Sequence, residues 1–558
     1  MASIVVAPFL VSGCRDEALV TEVLPARDVL EVDTAVIETP SIFFEERSSI
    51  VADELRGSLG VSLVDVDGDF WPDVSLATER GVHLFRNRTG ESGGQLSFVD
   101  QTNVYGLGQL QLTSVDGLAY GDFDADGDLD LFLTRFTEAD AVLIFDGQKF
   151  ENQSQAWGLP GVPTFSQTPS LADLDGDGDL DVFIATGVDV VNRQDEPDDQ
   201  QGRPDLVYRN DGGRFTEVSK DWGLGGPEFG ASFVGIIVDF DEDGAQDIFA
   251  IHDFLRDTLY RGVPGGIFEN ATETWVPNIS TGLMGLDTGD VDGDGLLDLY
   301  ATNFGADVLY LQRPSATPRF QDGMRGWLGG APNPTEALTG WGCALFDADN
   351  DGDLDAISVA SSDGRFRPDD ELEPGREGRM ILFENTLTAG ELGFVERTDT
   401  AGAPFDEVVN AYGVARGDLD RDGLEDIVVG AVNASTLSPG VRRTPFLLMN
   451  RSRVTGGFLR LDLRDPGSLN THAIGARVKL KHEGRFQHRA ITAGASFLSS
   501  HSGALHFGLG SAPATDIEIV WPNGERQRLP DGLTGEWLVE RGKAPVPSPK
   551  QRSGLVTD

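Results

Sequence analysis

One nine-residue pattern, Asp at positions 1, 3, 5 and 9, recurs seven times along this 558-residue chain and constrains its fold more than any other feature. The sets are Asp65, Asp67, Asp69, Asp73; Asp122, Asp124, Asp126, Asp130; Asp173, Asp175, Asp177, Asp181; and Asp239, Asp241, Asp243, Asp247. The remaining three are Asp290, Asp292, Asp294, Asp298; Asp347, Asp349, Asp351, Asp355; and Asp418, Asp420, Asp422, Asp426. They are called loops I to VII below. An apolar stretch enters each loop, as at residues 233–240, and another leaves it, as at residues 130–135. A Phe precedes each loop by 21 to 27 residues: Phe44, Phe98, Phe150, Phe215, Phe268, Phe320 and Phe394. A third apolar run follows, as at residues 83–87, 206–210 and 446–450. Each repeat thus holds about four short strands and no helical period. A single such unit cannot bury its own faces, and joining seven in a ring removes the exposed sheet edges. The spacing predicts an all-β chain with a seven-bladed β-propeller over residues 41–450.

Four carboxylates in one tight loop repel strongly unless a cation lies among them. Positions 1, 3 and 5, the carbonyl at position 7 and a bidentate Asp at position 9 would supply the six to eight oxygens that Ca²⁺ takes; Mg²⁺ prefers a rigid octahedron and keeps its waters. Gly at position 6 permits the sharp turn in six loops (Gly127, Gly178, Gly244, Gly295, Gly352, Gly423). Loop I has Phe70 there and is the weakest candidate of up to seven calcium sites. The pattern resembles the FG-GAP/VCBS repeats of integrin α-subunit propellers and of many bacterial secreted proteins. That resemblance implies calcium in the loops and a seven-bladed ring.

After Asn450 the composition changes. Residues 451–543 hold 13 Lys+Arg and 9 Asp+Glu, whereas the whole chain has 43 against 92 and a net charge of −49. Such acidity excludes nucleic acid as a partner and disfavours an anionic membrane surface. Alternating patterns at residues 458–464, 476–482 and 516–522 predict a small antiparallel β-domain over residues 451–540, and the Pro-rich polar residues 541–558 read as a disordered tail. Residues 470–478, 494–510 and 520–524 resemble the ASPIC/UnbV domain, which follows FG-GAP repeats in cartilage acidic protein and its bacterial relatives. In that domain His501 and His506, with Ser499, Ser500 and Ser502 beside them, have the residue types of a metal or nucleophile site, but no positioned carboxylate partner is visible in sequence. Cys343, on the strand entering loop VI, reads as a small buried residue.

At the N-terminus, Ile4 to Val11 is apolar, and Val11-Ser12-Gly13-Cys14 resembles a bacterial lipobox without the usual preceding Lys or Arg. The expectation is a lipoprotein-type segment over residues 1–14 with Cys14 lipidated, then an acidic tether over residues 15–40. Membrane attachment would be through that anchor alone. The resulting reading is a calcium-binding extracytoplasmic platform at the cell envelope, or secreted, that contacts protein or polysaccharide. Two alternatives differ in class: a polysaccharide-acting enzyme with its site in the propeller channel, and a secreted matrix glycoprotein using sequons at Asn87, Asn152, Asn270, Asn278, Asn433 and Asn450. No GxSxG, HExxH or phosphate-binding loop supports the enzyme. Insertions at residues 191–205 and 361–379 would project as surface loops.

Overall fold

The computed structural model describes residues 42–52, 57–187, 203–225, 231–279, 281–323, 333–361, 378–387, 392–432, 444–453 and 456–549. Cys14 and the tether, Asn433, residues 550–558 and nearly all of both insertions lie outside them. Among the described residues the strands assemble into seven four-stranded units, of which the fourth and fifth join into one eight-stranded sheet. Each Asp loop connects the first two antiparallel strands of a unit, as between Val61–Val64 and Asp73–Thr78. The third apolar run is the third strand, and the Phe motif opens the outermost strand. Seven innermost strands, from Val61–Val64 to Ala411–Gly417, contact one another in sequence order, and the last contacts the first. The arrangement is that of a β-propeller.

Closure uses the N-terminal Phe motif. Phe44–Glu46 pairs antiparallel with Phe446–Asn450, so the last unit takes its outer strand from the start of the chain. Units then bury their faces against one another: Val74 and Leu76 of the first pack with Val428 and Leu447 of the last. Because central strands such as Asp130–Thr134 are buried on both faces, they read as continuous apolar runs rather than alternating ones.

Side-chain amides on the third strands tie neighbours together. Asn87 Nδ2 donates to Leu419 O (2.8 Å), Asn210 to Phe123 O (3.0 Å), Gln312 Nε2 to Phe240 O (2.8 Å), Asn385 to Val291 O (3.0 Å) and Asn450 to Ala348 O (2.9 Å). Each acceptor is the second residue of the preceding unit's loop. Asn87 and Asn450 are fully buried in this role, so those two sequons are closed to glycosylation as folded; Asn152, Asn270 and Asn278 are exposed. Asn450→Ala should cost about 1–3 kcal/mol, since it strands a buried carbonyl, and urea unfolding would measure it.

The C-terminal region forms two four-stranded sheets. It is not purely antiparallel as expected: Phe458–Arg464 pairs in parallel with Gly535–Glu540, from Leu459 opposite Gly535 to Arg464 opposite Glu540. The long intervening chain supplies the crossover that parallel pairing needs, and no local pattern encodes it. The start of the expected disordered tail is also ordered. Val546–Pro547 adds to that sheet, and Pro549 O accepts a bond from Arg421 Nη1 at 2.8 Å.

Residues 493–502 of this domain occupy the propeller channel. Ser496 exchanges backbone bonds with Leu286, and its Oγ accepts the amides of Cys343 (3.0 Å) and Val414 (3.2 Å). Leu498 N donates to Thr168 Oγ1, Val61 N to Ser499 Oγ, and Ser500 pairs with Ser62 in a parallel bridge. The Phe497 ring meets Phe233, Trp341 and Tyr412 at 5.9, 4.9 and 6.3 Å. The approach is close enough that a Cβ on Gly413 would lie 2.2 Å from Ser499 Oγ.

Candidate metal centres

In every loop the nine-residue chain turns on two left-handed residues. Position 6 has φ between 87° and 104° in the six loops with Gly, and 69° at Phe70. Position 4 is also left-handed throughout, at Gly68, Ala125, Gly176, Glu242, Gly293, Asn350 and Arg421, a feature that its varied residues conceal in sequence. The first Asp then accepts amides from within the loop: Asp239 Oδ1 and Oδ2 take Asp243 N (3.0 Å) and Gly244 N (2.9 Å), and Asp418 takes Asp422 N and Gly423 N alike.

Position 9 has a second role. Both of its oxygens accept backbone amides in all seven loops: Asp73 takes Val66 N (3.1 Å) and Asn87 N (2.7 Å), and Asp130, Asp181, Asp247, Asp298, Asp355 and Asp426 repeat the pair. This carboxylate clips the loop to the third strand and keeps a second lone pair on each oxygen for an ion. Ligand oxygens converge nevertheless. Seven groups among the described residues, including Asp65, Asp67, Asp73 and Asp122, Asp124, Asp130, have one oxygen from each of at least three residues within 4.8 Å of the others.

Such crowding in buried surroundings opposes ionisation. Burial pushes Asp130, Asp247, Asp290 and Asp418 up to about 8, and neighbouring loop carboxylates add to it. Burial likewise raises Asp73, Asp181, Asp298, Asp347, Asp355 and Asp426 well above the ordinary carboxylate range. These groups bind protons more tightly folded than unfolded. Their metal-free contribution is therefore full below the ordinary carboxylate range and is lost as pH rises through about 8. Metal-free protein should accordingly melt higher at pH 5 than at pH 8, a trend that thermal scans in EDTA would show.

Cations from both domains meet the loops. On the third strands Arg86 reaches Asp67 and Asp69 and Arg261 reaches Asp241 and Asp243; just past them Arg313 reaches Asp292 and Asp294 and Arg451 reaches Asp420 and Asp422. From the C-terminal domain Arg477 Nη2 lies 2.7 Å from Asp239, and Thr471 Oγ1 donates to Asp122 at 2.6 Å. Arg464 favours the charge of Asp65, Arg489 that of Asp290 and Asp347, and Arg460 that of Asp418. The mildly basic domain thus sits over the acidic loop face.

Other polar groups are structural. His506 Nε2 donates to Asn350 Oδ1 (2.7 Å) and its ring stacks on Phe458, while burial holds it down near 4. His501 does have a carboxylate neighbour, Asp287, 3.2 Å from its Nε2. Burial works against the Asp287 charge, yet His501 and Arg416 hold its pKa below the ordinary value. Cys343 is buried and reduced, as its position suggested. Sequence reasoning missed a buried Asp at the start of the third strand, Asp140, Asp205, Asp257 and Asp307, each accepting the amide that ends the second strand. Its trace is an acid just before the apolar run. Ser232 Oγ lies 2.9 Å from His252 Nδ1 and donates to Asp205, but all three are buried and His252 is held near 4, so the set braces strands rather than activating a nucleophile.

The family model described as FG-GAP-like repeat matches residues 65–133, 122–184, 239–301 and 290–358, and that described as ASPIC and UnbV matches residues 467–536. It is an FG-GAP-repeat protein with an ASPIC/UnbV domain. Loop VII lies outside the matched ranges but repeats the same hydrogen bonds. This FG-GAP protein is 25% identical over 500 residues to cartilage acidic protein 1 of Xenopus tropicalis, covering 84% of its own length and 70% of the relative's. Against the Homo sapiens protein of the same name it is 24% identical over 512 residues, covering 85% and 69%. A shorter match, 28% over 221 residues, spans 35% of the chain and 21% of integrin alpha-V of Gallus gallus. Among the described residues no helix is long and apolar enough to cross a membrane.

Proposed function

We propose that this chain is a calcium-binding extracytoplasmic propeller that serves as a rigid platform for a protein partner. The observation that carries the reading is the loop geometry: carboxylates whose charge is opposed by burial and then by their neighbours, with oxygens converging within 4.8 Å, are stabilised as anions by a divalent ion among them. Positions 1, 3 and 5 of each loop would bind it through their carboxylates, with the backbone carbonyl of position 7 and one lone pair of position 9 completing the shell. The similarity to integrin alpha-V supports a protein partner over a polysaccharide. With its loop face under the C-terminal domain, the platform would use the outer strands and the opposite mouth. Cys14 would carry the lipid anchor, so palmitate labelling should vanish in Cys14→Ser.

Metal analysis of the purified full chain tests the core of this reading. Several calcium ions per chain, displaced by EDTA and not replaced by magnesium, are expected. Protein that holds no divalent ion after dialysis against micromolar calcium would overturn it.

A further inference from the structure

The seven loops differ in one respect that separates them without overlap. Loops I, IV, V and VII have the arginine clamp on positions 3 and 5 described above, and their position 7 is Trp71, Ala245, Leu296 or Leu424. Loops II, III and VI have an additional Asp at position 7, Asp128, Asp179 or Asp353. Among the described residues no arginine bridges positions 3 and 5 in these three. Arg209 on the third strand of unit III turns to Asp211 at 2.8 Å, and loop VI has Glu384 adding its charge beside Asp349; from the C-terminal domain Arg489 favours the charge of Asp347 and Arg485 lies 3.7 Å from Asp353, neither of them bridging positions 3 and 5.

We infer that the propeller carries two classes of metal loop, three high-affinity sites in loops II, III and VI and four self-neutralised loops that fill only at higher calcium. This inference rests on the calcium reading above. Each of the three unclamped loops contains a carboxylate oxygen that is buried and without a hydrogen-bond partner: Asp122 Oδ1, Asp179 Oδ1 and Asp353 Oδ1, on side chains no more than 5% exposed. A bound cation satisfies all three. In the clamped loops the guanidinium takes one oxygen at each of positions 3 and 5, and Arg464, Arg477, Arg489 or Arg460 faces position 1. Asp67, Asp241, Asp290 and Asp420 also keep one unpartnered oxygen apiece, so these loops retain a place for an ion and the two classes differ in charge, not in having a site. Their net charge is lower, and affinity in carboxylate sites follows ligand charge, so a gap of about tenfold or more is expected. The clamp gives the metal-free ring a partly neutralised frame, and the unclamped loops leave three sites that respond to scarce calcium.

Calcium titration of the metal-stripped full chain, followed by calorimetry and by native mass spectrometry, separates the possibilities. The expected result is about three ions filling first and the remainder at roughly tenfold higher concentration. Arg313→Met should move one ion from the weak class to the tight class, and Asp128→Asn with Asp179→Asn should weaken two of the tight ions. Equal filling of all loops, or no transfer in a folded Arg313→Met protein, would overturn the inference and leave the calcium reading standing. Absence of any bound calcium would remove both.

Discussion

Chelation of the purified full chain at pH 8 should lower its melting temperature sharply, and calcium, but not magnesium, should restore it. At a free concentration tenfold above its dissociation constant, one site contributes about 1.4 kcal/mol to the folded state. Three tight sites therefore supply about 4 kcal/mol and seven filled sites about 10, against a typical total of 5–15 kcal/mol. The loss should be larger than these figures where the emptied carboxylates repel, and raising monovalent salt should recover part of it by screening the exposed positions. The position-9 clips limit the damage, because their backbone bonds persist without metal. Differential scanning calorimetry with and without EDTA reads the effect directly. A melting temperature indifferent to chelator would mean that the loops hold themselves, with protonated Asp at positions 1 and 9 in place of an ion.

The ring was legible in sequence because its Asp loops vary so little: Asp at positions 1, 3, 5 and 9, with Gly at position 6 in six of the seven, is a local requirement that local residues display. Other parts are non-local and left weaker traces. The left-handed position 4 is filled by Ala125, Glu242, Asn350 and Arg421, residues that advertise no turn, since the surrounding hydrogen bonds impose the conformation. Arg86 and Arg261 were visible in the third-strand runs, but nothing in those runs tells an outward arginine from one folded back onto a loop. The parallel pairing of Phe458–Arg464 joins segments some seventy residues apart. Residues 494–502, rich in Ser and Gly, read as a loop of their own domain. Small residues are what a chain threading between seven inner strands must have, and that reason becomes apparent only when Gly413 and Ser499 face each other.

The channel segment yields the second large effect. Phe497 is 3% exposed at the centre of the ring, in edge or tilted contact with three aromatic rings from three different units. Phe497→Ala should therefore cost about 3–5 kcal/mol, the range for deleting a buried aromatic side chain, because the strand backbones around it cannot collapse into the void. The surface change Val546→Ala, at a side chain half exposed in the same domain, should shift stability by less than about 0.5 kcal/mol and serves as the control. If the C-terminal domain were only tethered to the ring, the two substitutions would look alike. If the segment holds the units together, Phe497→Ala should also expose residues 493–503 to protease at calcium concentrations where the parent chain resists. Lys479 and Glu242 join the same domain to loop IV through an ion pair that solvent reaches, so weakening the plug should make that proteolysis more sensitive to salt, as charge pairing takes over what packing no longer supplies.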